Sequence, residues 1–167
     1  CHGIGGTTNM WWGDKHSVIN PHLSALRINI YDPYRPLNNH APGAIMRTSI
    51  IGTYHYENLN EVVENAIQIA SATHSSPKSV YSAMIVSYLI AKIIQDKKNK
   101  IEINFNWANQ IISDAIEFTK PYLIKYFDKM CSELIKIQDS EPNKDDMYDE
   151  IIKKNIKEYY DKFVQEN

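Results

Sequence analysis

At 167 residues the chain fits one domain, and a chain of that length can bury enough apolar surface to hold a core without metal or disulfide staples. A formal net charge of −2, with Lys and Arg interleaved among Asp and Glu, excludes a polyanion-seeking surface, so no nucleic acid partner is expected. Cys1 and Cys131 form neither a C-x-x-C pair nor a bridge framework, and the longest apolar run, near Met84 to Ile94, is too short to span a bilayer and is broken by Ser87, Tyr88 and Lys92. A cytoplasmic protein with no membrane anchor is the expectation. The chain opens at Cys1 with no initiator Met and no signal-like segment, so a piece of something longer, natural or trimmed, is expected.

In chain order, the first element is the loop Cys1-His2-Gly3-Ile4-Gly5-Gly6-Thr7-Thr8. Glycines without Cβ atoms let a backbone approach a diphosphate closely, and successive N–H groups can converge on its oxygens. The loop has neither a preceding strand nor the Lys of a phosphate-binding loop, so a dinucleotide or nucleoside-triphosphate fold is not supported. Asn20-Pro21 starts a short helix through about Ile28, and Pro33 and Pro36 make the following stretch irregular. A helix from about Pro42 is expected to stop at Gly52, a residue able to take the left-handed conformation that ends helices. Met46 reads as a core residue of that helix.

Helical period dominates from residue 58 onward. Asn58 and Glu61 resemble a capping box, followed by an apolar face of Val62, Val63, Ala66, Ile67 and Ala70 up to about Ala72. Ser76 as N-cap and Pro77 as first residue start a helix to about Gln95 whose apolar residues surround the axis, the pattern of a central helix. A further helix carries Trp107, Ala108, Ile111, Ile112, Ala115 and Ile116 and is expected to end before Pro121, which starts another that closes at the polar stretch from Asp139 to Lys144. A last one uses Tyr148, Ile151, Ile152, Ile156, Tyr159, Tyr160 and Phe163. The fold class is therefore all-α, a helical bundle.

The two parts of the chain differ. All six glycines and all six histidines precede residue 75, whereas residues 96–167 hold 12 basic and 15 acidic side chains, the make-up of solvated amphipathic helices. Residues 1–95 are thus the chemistry-bearing part, and residues 96–167 a charged helical extension or insertion of the same domain.

Four segments in one order resemble the ADP-ribosylglycohydrolase family. They are the glycine loop, then Asn20-Pro21-His22 with Ala25, then Gly43-Ala44-Ile45-Met46-Arg47-Thr48-Ser49 against an N-G-A-x-M-R-T-S element, then Thr73-His74-Ser75-Ser76-Pro77 against T-H-x-x-P and a long apolar helix. The resemblance covers residues 1 to about 95 and implies an all-helical bundle of that type. It also implies hydrolysis of an N- or O-glycosidic bond at the distal ribose, releasing ADP-ribose from a modified protein side chain or small molecule. Two metal ions, usually magnesium, would polarise the ligand and activate water. The family's metal ligands are a Thr-Asp-Asp run before the glycine loop and an Asp-x-Asp-Thr run near the C-terminus, and neither occurs in this sequence. Lys144-Asp145-Asp146 lacks the Thr and reads as acids in a first helical turn. The bundle is therefore expected to be incomplete, with no catalytic residue and no metal ligand in this chain.

What carries over is a ligand cradle: Gly3, Gly5, Gly6 and Thr7 toward the diphosphate, Gly43 and Ala44 toward the ribose, and His74 near the ligand, with ADP-ribose or an ADP-ribosylated substrate as partner. His74 also reads as a cap on the last carbonyls of its helix, Arg47 as the partner of a nearby acid, and Trp11 and Trp12 as a loop packed on the bundle or a stacking surface. Pro42 stands where an Asn is usual in the family, or the Asn has been deleted, which removes a side-chain hydrogen-bonding group and a backbone N–H, and Lys78 replaces a frequent Arg. A non-catalytic ADP-ribose-binding or structural relative is the alternative reading, and an unrelated helical interaction module a third.

Overall fold

The computed structural model describes residues 43–74 and 76–140 of the chain. Four helices follow one another in it: α1 Gly43–Tyr54, α2 Leu59–Ser71, α3 Pro77–Lys98 and α4 Phe105–Ser140. No strand occurs among the described residues, and the all-α class expected from the 3.6-residue period holds. No helix among them is long and apolar enough to cross a membrane. The glycine loop, Asn20-Pro21-His22, Trp11, Trp12, Lys144-Asp145-Asp146 and the last expected helix lie outside the described residues.

The start of α2 shows why its sequence caps so well. Asn58 is extended at φ −127° and ψ 99°, and its side-chain oxygen accepts from the backbone N–H groups of Asn60 and Glu61. The amide of Asn58 donates to the Glu61 carboxylate at 3.0 Å, so the pair is joined side chain to side chain, a variant of the expected capping box. Val62, Val63, Ala66, Ile67 and Ala70 are buried on one face, as their spacing predicts.

Helix α3 is the centre of the bundle and packs against all three of the others. Its Val80, Ala83, Met84 and Tyr88 join Ala44, Val63, Ala66 and Ala70 in a core that α4 completes with Ala115, Leu123 and Phe127. Ile85 and Leu89 are only partly buried, so the apolar residues that circle the axis in sequence are covered unequally. Ser87 is buried against α1, its hydroxyl 2.8 Å from the carbonyls of both Thr48 and Ala83, which share its single proton.

α3 runs past the expected Gln95 to Lys98. The N–H of Ile101 bonds to the Asp96 carbonyl and that of Lys100 to the Lys97 carbonyl, the paired bonds of a Schellman ending with Lys100 in the left-handed region at φ 58°. Asp96 itself is buried and would be costly there alone. Burial pushes its carboxyl upward, but hydrogen bonds from Lys92 and Trp107, helped by the Lys92 charge, hold it below the ordinary carboxylate value. The Lys92 ammonium and the Trp107 indole N–H each lie 2.8 Å from a different Asp96 oxygen, so this pair pins the start of α4 to the end of α3.

Three expectations do not hold. Gly52 does not end α1, which continues to Tyr54; it is the point where α1 touches α3, and a Cβ at Gly52 would fall 2.2 Å from the Ser87 carbonyl oxygen. Met46 is 80 % exposed because it lies on the outer face of α1, where Ile50 and Tyr54 are also exposed, and it is not a core residue. Pro121 does not separate two helices, and α4 is continuous from Phe105 to Ser140 through it. The turn before the proline is held by hydroxyls: Thr119 donates to the Ala115 carbonyl at 2.6 Å, and Tyr81 of α3 donates to the Ile116 carbonyl at 3.1 Å. Ile111, Ala115, Thr119, Leu123 and Phe127 form one buried face through the break, while Ile112 and Ile116 are exposed.

Candidate functional site

Two segments far apart in sequence meet where α1 begins and α2 ends. Gly43 is the first residue of α1, and a Cβ built on it would stand 3.0 Å from His74 Nε2 and 3.4 Å from His74 Cε1. Any side chain larger than hydrogen would press on the imidazole, so the ring edge lies directly against the Gly43 backbone. His74 follows the last turn of α2, where its backbone N–H bonds to the Ala70 carbonyl at 2.9 Å. The imidazole is 3 % exposed.

Arg47, one turn into α1, reaches the same place. Its Nη2 donates to the Ile69 carbonyl at 3.1 Å, to the Ala70 carbonyl at 3.3 Å and to the Thr73 hydroxyl, and lies 3.5 Å from His74 Nδ1. Ile69 and Ala70 offer main-chain acceptors at the C-terminal end of α2, where the last carbonyls and the negative end of the macrodipole attract a cation. The Arg47 partner is therefore a helix end and its neighbouring threonine, not an acid. Thr73 Oγ1 is in turn 2.8 Å from His74 Nδ1.

Burial removes the water that would solvate an imidazolium, and the adjacent Arg47 charge opposes a second cation. Together they lower His74 from 6.5 to about 4, so the ring is neutral at physiological pH. Burial also lowers Arg47 from its ordinary value, which an arginine tolerates while keeping its charge.

Of the expected cradle, Gly43 and His74 are brought together, and Ala44 is next to them but turned inward. Its methyl is in the core and its carbonyl accepts from the Thr48 hydroxyl at 3.0 Å. Gly3, Gly5, Gly6 and Thr7 lie outside the described residues. Arg47 and Thr73 are neighbours of this pair to which the sequence assigns no contact of this kind, although both stand inside matched segments. An open hollow along α4, lined by Lys120, Pro121, Ile124, Lys125 and Asp128, contains none of these residues.

The ADP-ribosylglycohydrolase family model matches residues 1–165 of the chain. The chain belongs to this family. No curated protein and no solved structure gives a match. The match extends through α4 and beyond, so the charged part after residue 95, which the four segments left out, is also within the family's pattern.

ADP-ribosylglycohydrolases are helical hydrolases of ADP-ribosylated substrates and are in general metal-dependent. Among the described residues no three His, Cys, Asp or Glu side chains come together as a metal site. The cluster at Gly43 does not fit magnesium either: it offers one imidazole with Nδ1 engaged, one guanidinium and one hydroxyl, where magnesium takes an octahedron of oxygens. No step through a metal is derived from these residues. What they can do is hold a buried, uncharged, hydrogen-bonded imidazole against a backbone without a Cβ.

Proposed function

We propose that this chain forms part of the ADP-ribose pocket of a hydrolase that cleaves the N- or O-glycosidic bond at the distal ribose of an ADP-ribosylated side chain or small molecule. Gly43 and His74 would lie along the ligand, with Gly3, Gly5, Gly6 and Thr7 approaching its diphosphate. The observation that carries this reading is the contact of Gly43 with His74, 31 positions apart in sequence, within a chain that matches the family from residue 1 to residue 165. Magnesium and the carboxylates that bind it would come from outside these 167 residues, since neither acidic run is in the sequence. The two cysteines, with no pairing pattern, favour a cytoplasmic setting.

Calorimetric titration of the 167-residue chain with ADP-ribose, first with magnesium and then with chelator, tests this. Weak binding that is indifferent to magnesium, with no release of ADP-ribose from a modified substrate, is the expected result. Magnesium-dependent binding or turnover would mean that acids such as Asp145 and Asp146 form a site of their own. Absence of any binding would overturn the pocket itself.

A second reading, a relative that binds ADP-ribose without cleaving it, is favoured by Pro42, which stands where an Asn is usual in the family. Restoring the family residue by Pro42→Asn separates the two. If the pocket has only lost one contact, affinity rises; if the segment has been given over to another role, it does not change.

A further inference from the structure

Helix α4 outgrows the bundle it packs in. It runs back along α3: Trp107 meets Asp96 near the end of α3, and the Ile116 carbonyl accepts from Tyr81 near its start. Pro77, the first residue of α3, is one turn before Tyr81, so α4 passes it near Lys120 with about 20 residues, roughly 30 Å, still to run to Ser140. Where it passes, α4 carries the open hollow of about 540 Å³ lined by Lys120, Pro121, Ile124, Lys125 and Asp128. All five are on one side of one helix, so the hollow has a wall but no facing wall. Its apolar floor is Pro121, which is exposed, and Ile124, which is half-buried, on the flank turned from the buried Leu123 and Phe127.

The chain that follows has the length and the pattern to supply the missing wall. After Ser140 come 27 residues. Pro142 and Asn143 are turn chemistry, and the apolar residues from Tyr148 to Phe163 recur at the spacing of a single helical face. Residues 141–147 make a short helix–helix connection, the kind that leaves two helices as antiparallel neighbours. With Tyr148 level with Ser140, Phe163 comes about 22 Å back along α4, level with Lys125, and Tyr160 comes level with Asp128. Glu166 shares the face of Tyr159 and Phe163 and comes level with the turn of α4 that holds Lys120 and Lys125, so apolar groups meet an apolar floor and an acid meets bases. The family match, which runs to residue 165, includes the whole apolar stripe.

We propose that the hollow on α4 is the docking site of the chain's own C-terminal segment, residues 148–166, which returns antiparallel along α4 and seats Tyr160 and Phe163 against Pro121 and Ile124. The contact stands apart from the ADP-ribose reading. It removes two apolar surfaces from water at once, the floor of the hollow and the stripe of the segment, and it gives the long free end of α4 a partner.

The test is the distance between pairs of spin labels on the full chain, with Cys1→Ser and Cys131→Ser removing the native thiols. One label goes on exposed α4 through Glu117→Cys, the other on the segment through Glu150→Cys or Lys162→Cys. The antiparallel register puts residue 162 level with 126 and residue 150 level with 138, so the distance from 117 to 162 should be sharply defined and about 15 Å shorter than that from 117 to 150. A segment that continues away from α4 reverses the order, and one with no fixed place gives two broad distributions; either result overturns the proposal. A short distance that disappears when the labelled chain is diluted with unlabelled chain makes the occupant a second copy, which overturns it as well. Ile124→Glu and Phe163→Glu, each placing a charge in the contact, should broaden the distribution from 117 to 162. If Ile124→Glu does not fold, Phe163→Glu decides, and a distribution that stays sharp there shows the segment seated elsewhere than in the hollow.

Discussion

His74 carries a pH dependence whose sign follows from its surroundings. Its folded value of about 4 is below the ordinary 6.5, so between these limits the unfolded chain takes up a proton that the folded chain refuses. The contribution to stability is fully present above about pH 6.5 and is lost as pH falls toward 4. Denaturant midpoints measured across that range should therefore fall more steeply for the unmodified chain than for His74→Gln. Parallel curves would show that the ring is open to water. In sequence this residue is legible through the T-H-x-x-P segment, and Gly43 through the segment before it. The role of Arg47 is not, because its acceptors are the carbonyls of Ile69 and Ala70, which every residue possesses and no side-chain pattern marks.

Among the helices, α2 and α3 are legible because each begins with a strong start signal, the capping Asn58 in one and Pro77 at the first position in the other, where Ser76 precedes it without a side-chain cap bond, and each carries a regular apolar pattern. α4 is not, because Pro121 forbids one backbone hydrogen bond and reads locally as a boundary. Packing overrides it: Leu123 and Phe127 continue the buried face begun by Ile111 and Ala115, and together they outweigh the loss of one bond on the exposed side. Pro121 is exposed, so Pro121→Ala should restore the bond without disturbing the core and raise stability by roughly 1–3 kcal/mol, seen as a higher melting temperature. At Gly52 the usual sign is reversed. Alanine ordinarily stabilises a helix interior by about 1 kcal/mol over glycine, yet here its methyl would strike the Ser87 carbonyl. Gly52→Ala should cost about 1–3 kcal/mol of unfolding free energy. A neutral or stabilising result would mean that α1 and α3 stand further apart than the Gly52 contact requires.

For the molecule as a whole, the arrangement around α3 follows from one sequence feature, an apolar circumference longer than one face needs. Which side is covered does not follow, since partners for Met46, Ile50 and Tyr54 are not encoded in their own helix. These three recur every four residues and form an exposed apolar stripe on the outer face of α1. A net charge of −2 offers little repulsion between copies, so the purified chain should associate as its concentration rises. Sedimentation velocity should show this, and Ile50→Glu should abolish it; a monomer at all concentrations would show the stripe to be too small to matter. The Gly52 contact has a mechanical consequence as well. It acts as a fulcrum: Gly43 is nine residues away along α1, a lever arm of about 13 Å, so wedging the helices apart by even an ångström at the crossing tilts the far end by a comparable amount. The packing of His74 on Gly43 is thus set from a distance, and a methyl added at Gly52 should loosen the imidazole it never touches.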